Sequence, residues 1–174
     1  MDPVRLFIVA VILSLLGLSL QGGLVALGLP VALVPDFVLL FVLFVSFYKS
    51  TSYGAFLAFL CGIIVDISSA QLIGPWAGSY VLCFGLVALL SDRIFIESGF
   101  SLGVIAISLS LFSQLIFLLI SVDPINQLWT EWSIFVGKAF ATAFVAPLFF
   151  PLIERVLSFS RVDSLRERNR SGYY

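Results

Sequence analysis

The chain has no histidine, only two cysteines and few charged residues of either sign. Without histidine, the commonest proton carrier and metal ligand of proteins is missing. Cys61 and Cys83 both lie in apolar segments, with no second cysteine or histidine nearby to complete a metal site. We therefore expect both thiols to pack as small buried apolar groups.

The shortage of charge decides the class of protein. Charged residues make up 11% of the 174-residue chain and hydrophobic residues 61%, whereas a soluble domain has about a quarter charged residues. Apolar residues also surround the helical segments instead of forming one stripe, which is typical of helices in lipid. The composition predicts an all-α integral membrane protein without a separate soluble domain.

Six apolar segments, separated by polar or turn residues, predict a bundle of six transmembrane helices. Pro35 and Asp36 have the composition of a helix start. A helix from Pro35 to Tyr48 is about 21 Å long and so shorter than a bilayer core of about 30 Å. The transmembrane domain is predicted over residues 1–154, followed by a basic cytoplasmic tail at 155–174, with spans near residues 6–28, 32–48, 53–72, 74–91, 99–121 and 133–154.

The distribution of basic residues predicts that both ends of the chain lie in the cytoplasm, because Lys and Arg in short loops stay on that side. With this orientation the opposite side carries Asp36, Asp66, Asp123 and Glu131. Lys138 is the one basic residue that falls toward the outer side, where its long side chain can reach the interface. The other basic residues all fall inside: Arg5, Lys49, Arg93, Arg155, Arg161, Arg166, Arg168 and Arg170.

The tail from Arg155 mixes apolar and basic residues. One interpretation is a short amphipathic helix on the inner leaflet, with its bases near anionic lipid headgroups. The other is a positive-inside anchor that loses its structure by Ser171. The mixed charge and short length argue against a nucleic-acid partner.

The third segment contains a ridge of small residues with one carboxylate. Gly54, Ala58, Gly62 and Asp66 recur every four residues, a spacing that lets a neighbouring helix approach closely. The ridge is a candidate for helix packing or for partner binding. An ionisable group within a span suggests function by default, but Asp66 can equally cap the following turn through Ser68 and Ser69.

Two further charges of the outer half are Asp36 and Lys138. Asp36, next to Pro35, is accounted for as a helix cap. Lys138 and Asp66 lie in the same half of the membrane, and a partly buried pair lowers the cost of each charge. The sequence thus suggests an Asp66–Lys138 ion pair.

Motifs of catalysis are missing from the sequence. Intramembrane serine proteases need a base beside the serine, usually histidine, and aspartyl proteases need two converging carboxylates. No phosphate loop, metal-ligand spacing or cofactor motif occurs. The sequence therefore predicts no enzyme, no cofactor and no metal.

Several short motifs resemble, in their order and spacing, those of one bacterial family, MreD, the rod shape-determining proteins. The segment opening at Pro35 and Asp36 looks like the start of the family's second span, and Gly74 and Arg93 fall at similar positions in later motifs. The motifs are Pro35-Asp36-Phe37-Val38-Leu39-Leu40, Tyr53-Gly54-Ala55-Phe56, Gly62-Ile63-Ile64-Val65-Asp66-Ile67, Ile73-Gly74 and Arg93-Ile94-Phe95.

The resemblance implies both a fold and a role. MreD proteins resemble, in their six-helix fold, the substrate-binding components of energy-coupling-factor transporters. They work in the bacterial cytoplasmic membrane with MreC, a single-span protein, beside MreB filaments. Through these partners the glycosyltransferase and transpeptidase of the rod complex are localised and regulated. No catalytic residues are implied.

The transporter fold suggests an alternative function, a membrane-embedded small-molecule-binding subunit of a vitamin-type transporter. Such a subunit needs converging polar side chains that line a pocket. A tightly bound metabolite would favour this alternative, and co-purification with a single-span partner would favour the first. The candidate pocket residues are Gln21, Ser79, Tyr80, Gln114 and Asn126.

Overall fold

A computed structural model describes the backbone of residues 3–48, 52–69, 74–90, 99–120 and 124–171, and the side chains within 7–47, 52–69, 74–90, 100–120 and 131–155. The described chain is helical, which confirms the all-α prediction. Each of the six predicted segments overlaps one α-helix. The helices are α1 (Pro3–Ala26), α2 (Phe37–Tyr48), α3 (Ser52–Ser69), α4 (Pro75–Leu90), α5 (Gly99–Ile120) and α6 (Pro124–Ser171), and a 3₁₀ turn at Val31–Leu33 precedes α2.

Four helices are long and apolar enough to cross a membrane, and two are shorter. The long apolar stretches are Phe7–Ala26, Ser52–Ser69, Phe100–Ile120 and Glu131–Arg155. α2 has only 12 residues and α4 has 16. The second span, predicted to begin near residue 32, therefore begins as an α-helix only at Phe37.

The short helix α2 lies at the centre of the molecule. Every residue from Val38 to Phe44 is at most 3% exposed, and α2 contacts each of the other five helices. Its apolar residues therefore face protein in all directions. This corrects the expectation that lipid surrounds the apolar side chains of this segment. The side chains of Ile12, Leu16 and Leu20 in α1, by contrast, are about half exposed.

Helix α6 is longer than its predicted span at both ends. It begins at Pro124, where a proline is favoured because its missing N–H needs no partner. Residues 124–131, expected as a break between spans, are thus helical. The same helix continues through Arg155 to Ser171, so the tail is a helical extension of the last span and keeps its structure up to Ser171.

Candidate functional site: a buried polar cluster around Asp36

Asp36 directly precedes α2 and accepts hydrogen bonds from the N–H groups of its first turn. The backbone N–H of Leu39 donates to Asp36 Oδ1 at 3.0 Å, and the N–H of Leu40 donates to the Asp36 carbonyl at 3.1 Å. This is the geometry of an N-cap, in which a carboxylate also lies favourably at the positive end of the helix dipole. The cap is buried, since the Asp36 side chain is only 6% exposed.

Side chains from three other helices converge on this carboxylate. The Tyr80 hydroxyl of α4 donates toward both oxygens, at 3.2 and 3.1 Å. Gln21 Nε2 of α1 lies 3.4 Å from Asp36 Oδ1 and 3.2 Å from the Pro35 carbonyl oxygen. Lys138 Nζ of α6 lies 3.8 Å from Asp36 Oδ2. We call these four side chains, of Gln21, Asp36, Tyr80 and Lys138, the Asp36 cluster.

Thr142 ties the backbone of the α2 start to α6. The N–H of Asp36 donates to Thr142 Oγ1 at 2.9 Å, and the Thr142 hydroxyl donates to the Lys138 carbonyl at 2.7 Å. Lys138 and Thr142 are four residues apart, so they lie on one face of α6. A buried N–H that would otherwise lack a partner is thereby satisfied.

Lys138 is held between a carboxylate and an aromatic ring. Its ammonium lies 5.4 Å from the centroid of the Trp76 ring, within the range of a cation–π interaction. Trp76 in turn stacks on Phe117 of α5, with ring centroids 4.5 Å apart. The Asp36 cluster therefore also contacts the fifth helix indirectly.

The ion partner of Lys138 is Asp36 and not Asp66, so the pair suggested by the sequence is wrong. Both carboxylates lie at the same end of the bundle, and depth alone does not distinguish them. The structure distinguishes them because the oxygens of Asp66 are occupied by backbone N–H groups.

Asp66 caps the start of α4. Its carboxylate accepts from the N–H groups of Gly74 at 2.9 Å, Trp76 at 3.0 Å and Ala77 at 3.1 Å. Gly74 has a φ of +132°, a conformation that favours glycine. The capping predicted through Ser68 and Ser69 differs in detail, because those hydroxyls donate to carbonyls of their own helix.

The small-residue ridge of α3 faces the inside of the protein. Gly54, Ala58, Gly62 and Asp66 are all buried. A Cβ atom added to Gly62 would lie 2.3 Å from the Cα of Ala77, so only glycine allows α3 and α4 to approach this closely. This geometry supports the helix-packing alternative for the ridge.

Among the described side chains, the candidate pocket residues of the transporter alternative bond to separate protein groups. Gln21 and Tyr80 bond to Asp36, Ser79 donates to the Trp76 carbonyl, and Gln114 donates to the Phe135 carbonyl. A cavity of about 440 Å³ between α5 and α6 includes Gln114, but its other lining residues are apolar. Arg93 lies outside the described residues, as does the side chain of Asn126.

Two members of this site, Trp76 and Thr142, were missed from the sequence. A usable signal existed, because Trp76 and Tyr80, like Lys138 and Thr142, are spaced four residues apart and so share a helix face. Which faces meet is a property of the packed bundle. The site holds α1, α2, α4 and α6 together through an ion pair and hydrogen bonds in a medium of low dielectric constant.

Comparison with known proteins identifies the family. The family model described as rod shape-determining protein MreD matches residues 2–156, nearly the whole chain. No curated protein and no solved structure matches the chain. The similarity to energy-coupling-factor transporter components therefore stays a prediction. The chain belongs to the MreD family of rod shape-determining proteins.

Proposed function

We propose that this protein is a non-catalytic membrane component of the bacterial rod complex, which binds an MreC-like single-span protein and helps control side-wall peptidoglycan synthesis. The match of residues 2–156 to the MreD family carries this proposal, because membership implies a role in rod-shape determination and the family is not enzymatic. The MreB filaments, the glycosyltransferase and the transpeptidase are then direct or indirect partners.

The polar interior supports a mode of action by contact. The Asp36 carboxylate is bound by side chains of the protein itself, and the Asp66 carboxylate by its backbone. The outer surfaces of α1, α5 and α6, in contrast, carry large exposed apolar side chains such as Leu16, Leu115 and Phe144. In a bilayer such surfaces meet lipid or other helices, so a single-span partner is expected to bind there.

The orientation belongs to the same proposal. With both ends in the cytoplasm of a bacterium, most bases face inside, as the positive-inside rule requires. The Asp36 cluster then lies toward the outer side of the cytoplasmic membrane. There it stabilises the end of the bundle nearest to the extracytoplasmic domain of the partner.

Photocrosslinking in native membranes tests the partner directly. A benzophenone analogue of phenylalanine replaces one phenylalanine at a time, beside an epitope-tagged MreC-like protein. The exposed probes are Phe59 in α3, Phe100 in α5 and Phe144 in α6, together with the partly exposed Phe7 in α1. Phe41, which is 1% exposed at the centre of α2, is the matched control.

We expect the tagged partner to crosslink from at least one exposed position and not from Phe41. Crosslinks confined to neighbouring positions would locate the binding face. If the partner is present in the same membranes and no exposed position captures it, the proposed contact is wrong.

A further inference from the structure

The connection between α1 and α2 is unusually apolar for a loop. Residues Leu27 to Pro35 include no charged side chain and no hydrogen-bonding side chain. We call this segment the α1–α2 loop. Leu27 is 81% exposed, and Val31 and Leu33 are about half exposed. In water such a continuous apolar patch would be unfavourable, so the depth of the loop in the membrane matters.

Helix α1 gives a first estimate of that depth. Gln21 bonds to the Pro35 carbonyl and to Asp36, so the start of α2 lies level with Gln21. Gln21 precedes the end of α1, Ala26, by five residues, which is about 8 Å of helical rise. The chain therefore turns back along α1 before α2 begins.

Helix α6 gives a second estimate. The carbonyl of Ala32 lies 2.8 Å from the position of a Cβ on Gly137, and the Asp36 N–H bonds to Thr142. The last charged residue of α6 before Lys138 is Glu131. Gly137 and Thr142 are six and eleven residues further on, about 9 and 16 Å along the helix. The loop thus descends beside a part of α6 that has the composition of a membrane span.

The length of α2 agrees with both estimates. Its 12 residues extend about 18 Å, which leaves about 12 Å of a bilayer core of about 30 Å uncrossed. A start of α2 about 8 to 16 Å below the surface accounts for that difference. Helix α2 is therefore a partial span whose N-terminus, with Asp36 and Lys138, lies at membrane depth.

Most backbone N–H groups of the loop are bonded within the protein, which is part of the condition for contact with lipid. Irregular backbone in hydrocarbon requires that its polar groups be bonded within the protein. From Leu27 to Asp36 two of the ten residues are prolines without an N–H, and six of the other eight N–H groups donate to protein acceptors. The six donors are Leu27, Gly28, Leu29, Leu33, Val34 and Asp36.

We propose that the α1–α2 loop is a non-helical segment at membrane depth, immersed in the leaflet at the Asp36 end. Its exposed apolar side chains contact lipid acyl chains. The neighbouring helices α1 and α6 also carry large exposed apolar side chains, such as Leu20 and Phe144. The proposal holds whether or not an MreC-like partner binds, so the two are tested independently.

Collision accessibility of a nitroxide measures this placement. A cysteine at Val31 or Leu33 is spin-labelled in the purified full chain, which is then reconstituted into phosphatidylethanolamine–phosphatidylglycerol vesicles. Native Cys61 and Cys83 are 0% exposed and are not expected to react; the parent protein, treated identically, gives the background. A label at Phe144, which is 79% exposed in α6, is the lipid reference.

We expect oxygen, which partitions into hydrocarbon, to collide with the labels at Val31 and Leu33 several-fold more often than a water-soluble nickel chelate does, as at Phe144. Preferential collision with the nickel chelate would overturn the proposal. Low accessibility to both reagents would also overturn it, because the loop would then be covered by protein, such as a second copy of the chain.

Discussion

The Asp36–Lys138 ion pair can be measured by a double-mutant cycle. Asp36→Asn keeps the shape of the side chain and one carboxamide oxygen for the Leu39 cap, but it removes the negative charge. Lys138→Met keeps the length of the side chain and removes the positive charge. The two atoms of the pair are 3.8 Å apart, and the side chains are 6% and 21% exposed, so the charges are largely desolvated.

The expected magnitudes follow from this geometry. At 3.8 Å and an effective dielectric constant of about 20, Coulomb attraction is at most about 4 kcal/mol. Loss of one partner of a buried pair costs about 3–5 kcal/mol. Lys138 can extend toward water, so we expect Asp36→Asn to lower the free energy of unfolding by about 3 kcal/mol. We expect about 2 kcal/mol for Lys138→Met, because Asp36 keeps its other donors. With the double variant also at about 3 kcal/mol, the coupling energy is about 2 kcal/mol.

The free energy of unfolding can be measured in mixed micelles by titration with sodium dodecyl sulfate, followed by circular dichroism. Glu131→Gln is the matched control, since Glu131 lies seven residues from Lys138 on the same helix. It should change stability by less than about 0.5 kcal/mol and should not couple to Lys138→Met. Additive losses in the Asp36–Lys138 cycle would refute the reasoning that these charges stabilise each other.

Two further predictions concern the contact of α3 with α4. Asp66→Ala leaves the N–H groups of Gly74, Trp76 and Ala77 without their acceptor and should lower the free energy of unfolding by about 2–3 kcal/mol. Asp66→Asn keeps one oxygen and should lower it by less. Equal stability of Asp66→Ala and the parent would contradict this. Gly62→Ala places a Cβ 2.3 Å from the Ala77 Cα and should cost about 1–3 kcal/mol in the same titration. In Gly85→Ala, where nothing lies within 4 Å, no loss is expected, and equal behaviour of the two alanine variants would show that the close approach is unimportant.

The helices were largely predictable from the sequence because each apolar segment ends at polar or turn residues. Pro35 and Asp36 mark the start of α2 within two residues, since a proline and a capping acid act locally. The extent of α6 was not predictable in this way. Residues 124–131 contain polar side chains that suggest a loop, but nothing in them prevents a helix.

The central position of α2 was beyond the reach of a single sequence. A helix that is apolar all round is equally compatible with lipid and with protein as its surroundings. Its shortness was the one local clue, because a helix of 12 residues does not cross a bilayer alone. The structure resolves the ambiguity through the five helices that cover it.

The partner of each charge was likewise undetermined by the sequence. Asp36, Asp66 and Lys138 were recognised as polar groups at one end of the bundle, but pairing depends on which helix faces meet. The Asp66 carboxylate accepts hydrogen bonds from the backbone N–H groups at the start of α4. Lys138 pairs with Asp36 instead. Such a choice is made by the tertiary structure.

The most direct test of the account is a complementation experiment on cell shape, in the bacterium that encodes this chain. Depletion of the protein should convert rods to wider, rounder cells, and expression of the parent chain should restore the ratio of cell length to width. Asp36→Ala, which removes the centre of the Asp36 cluster, should restore shape poorly in proportion to its loss of folded protein in the membrane. Depleted cells that remain rods of normal width would contradict the proposed role.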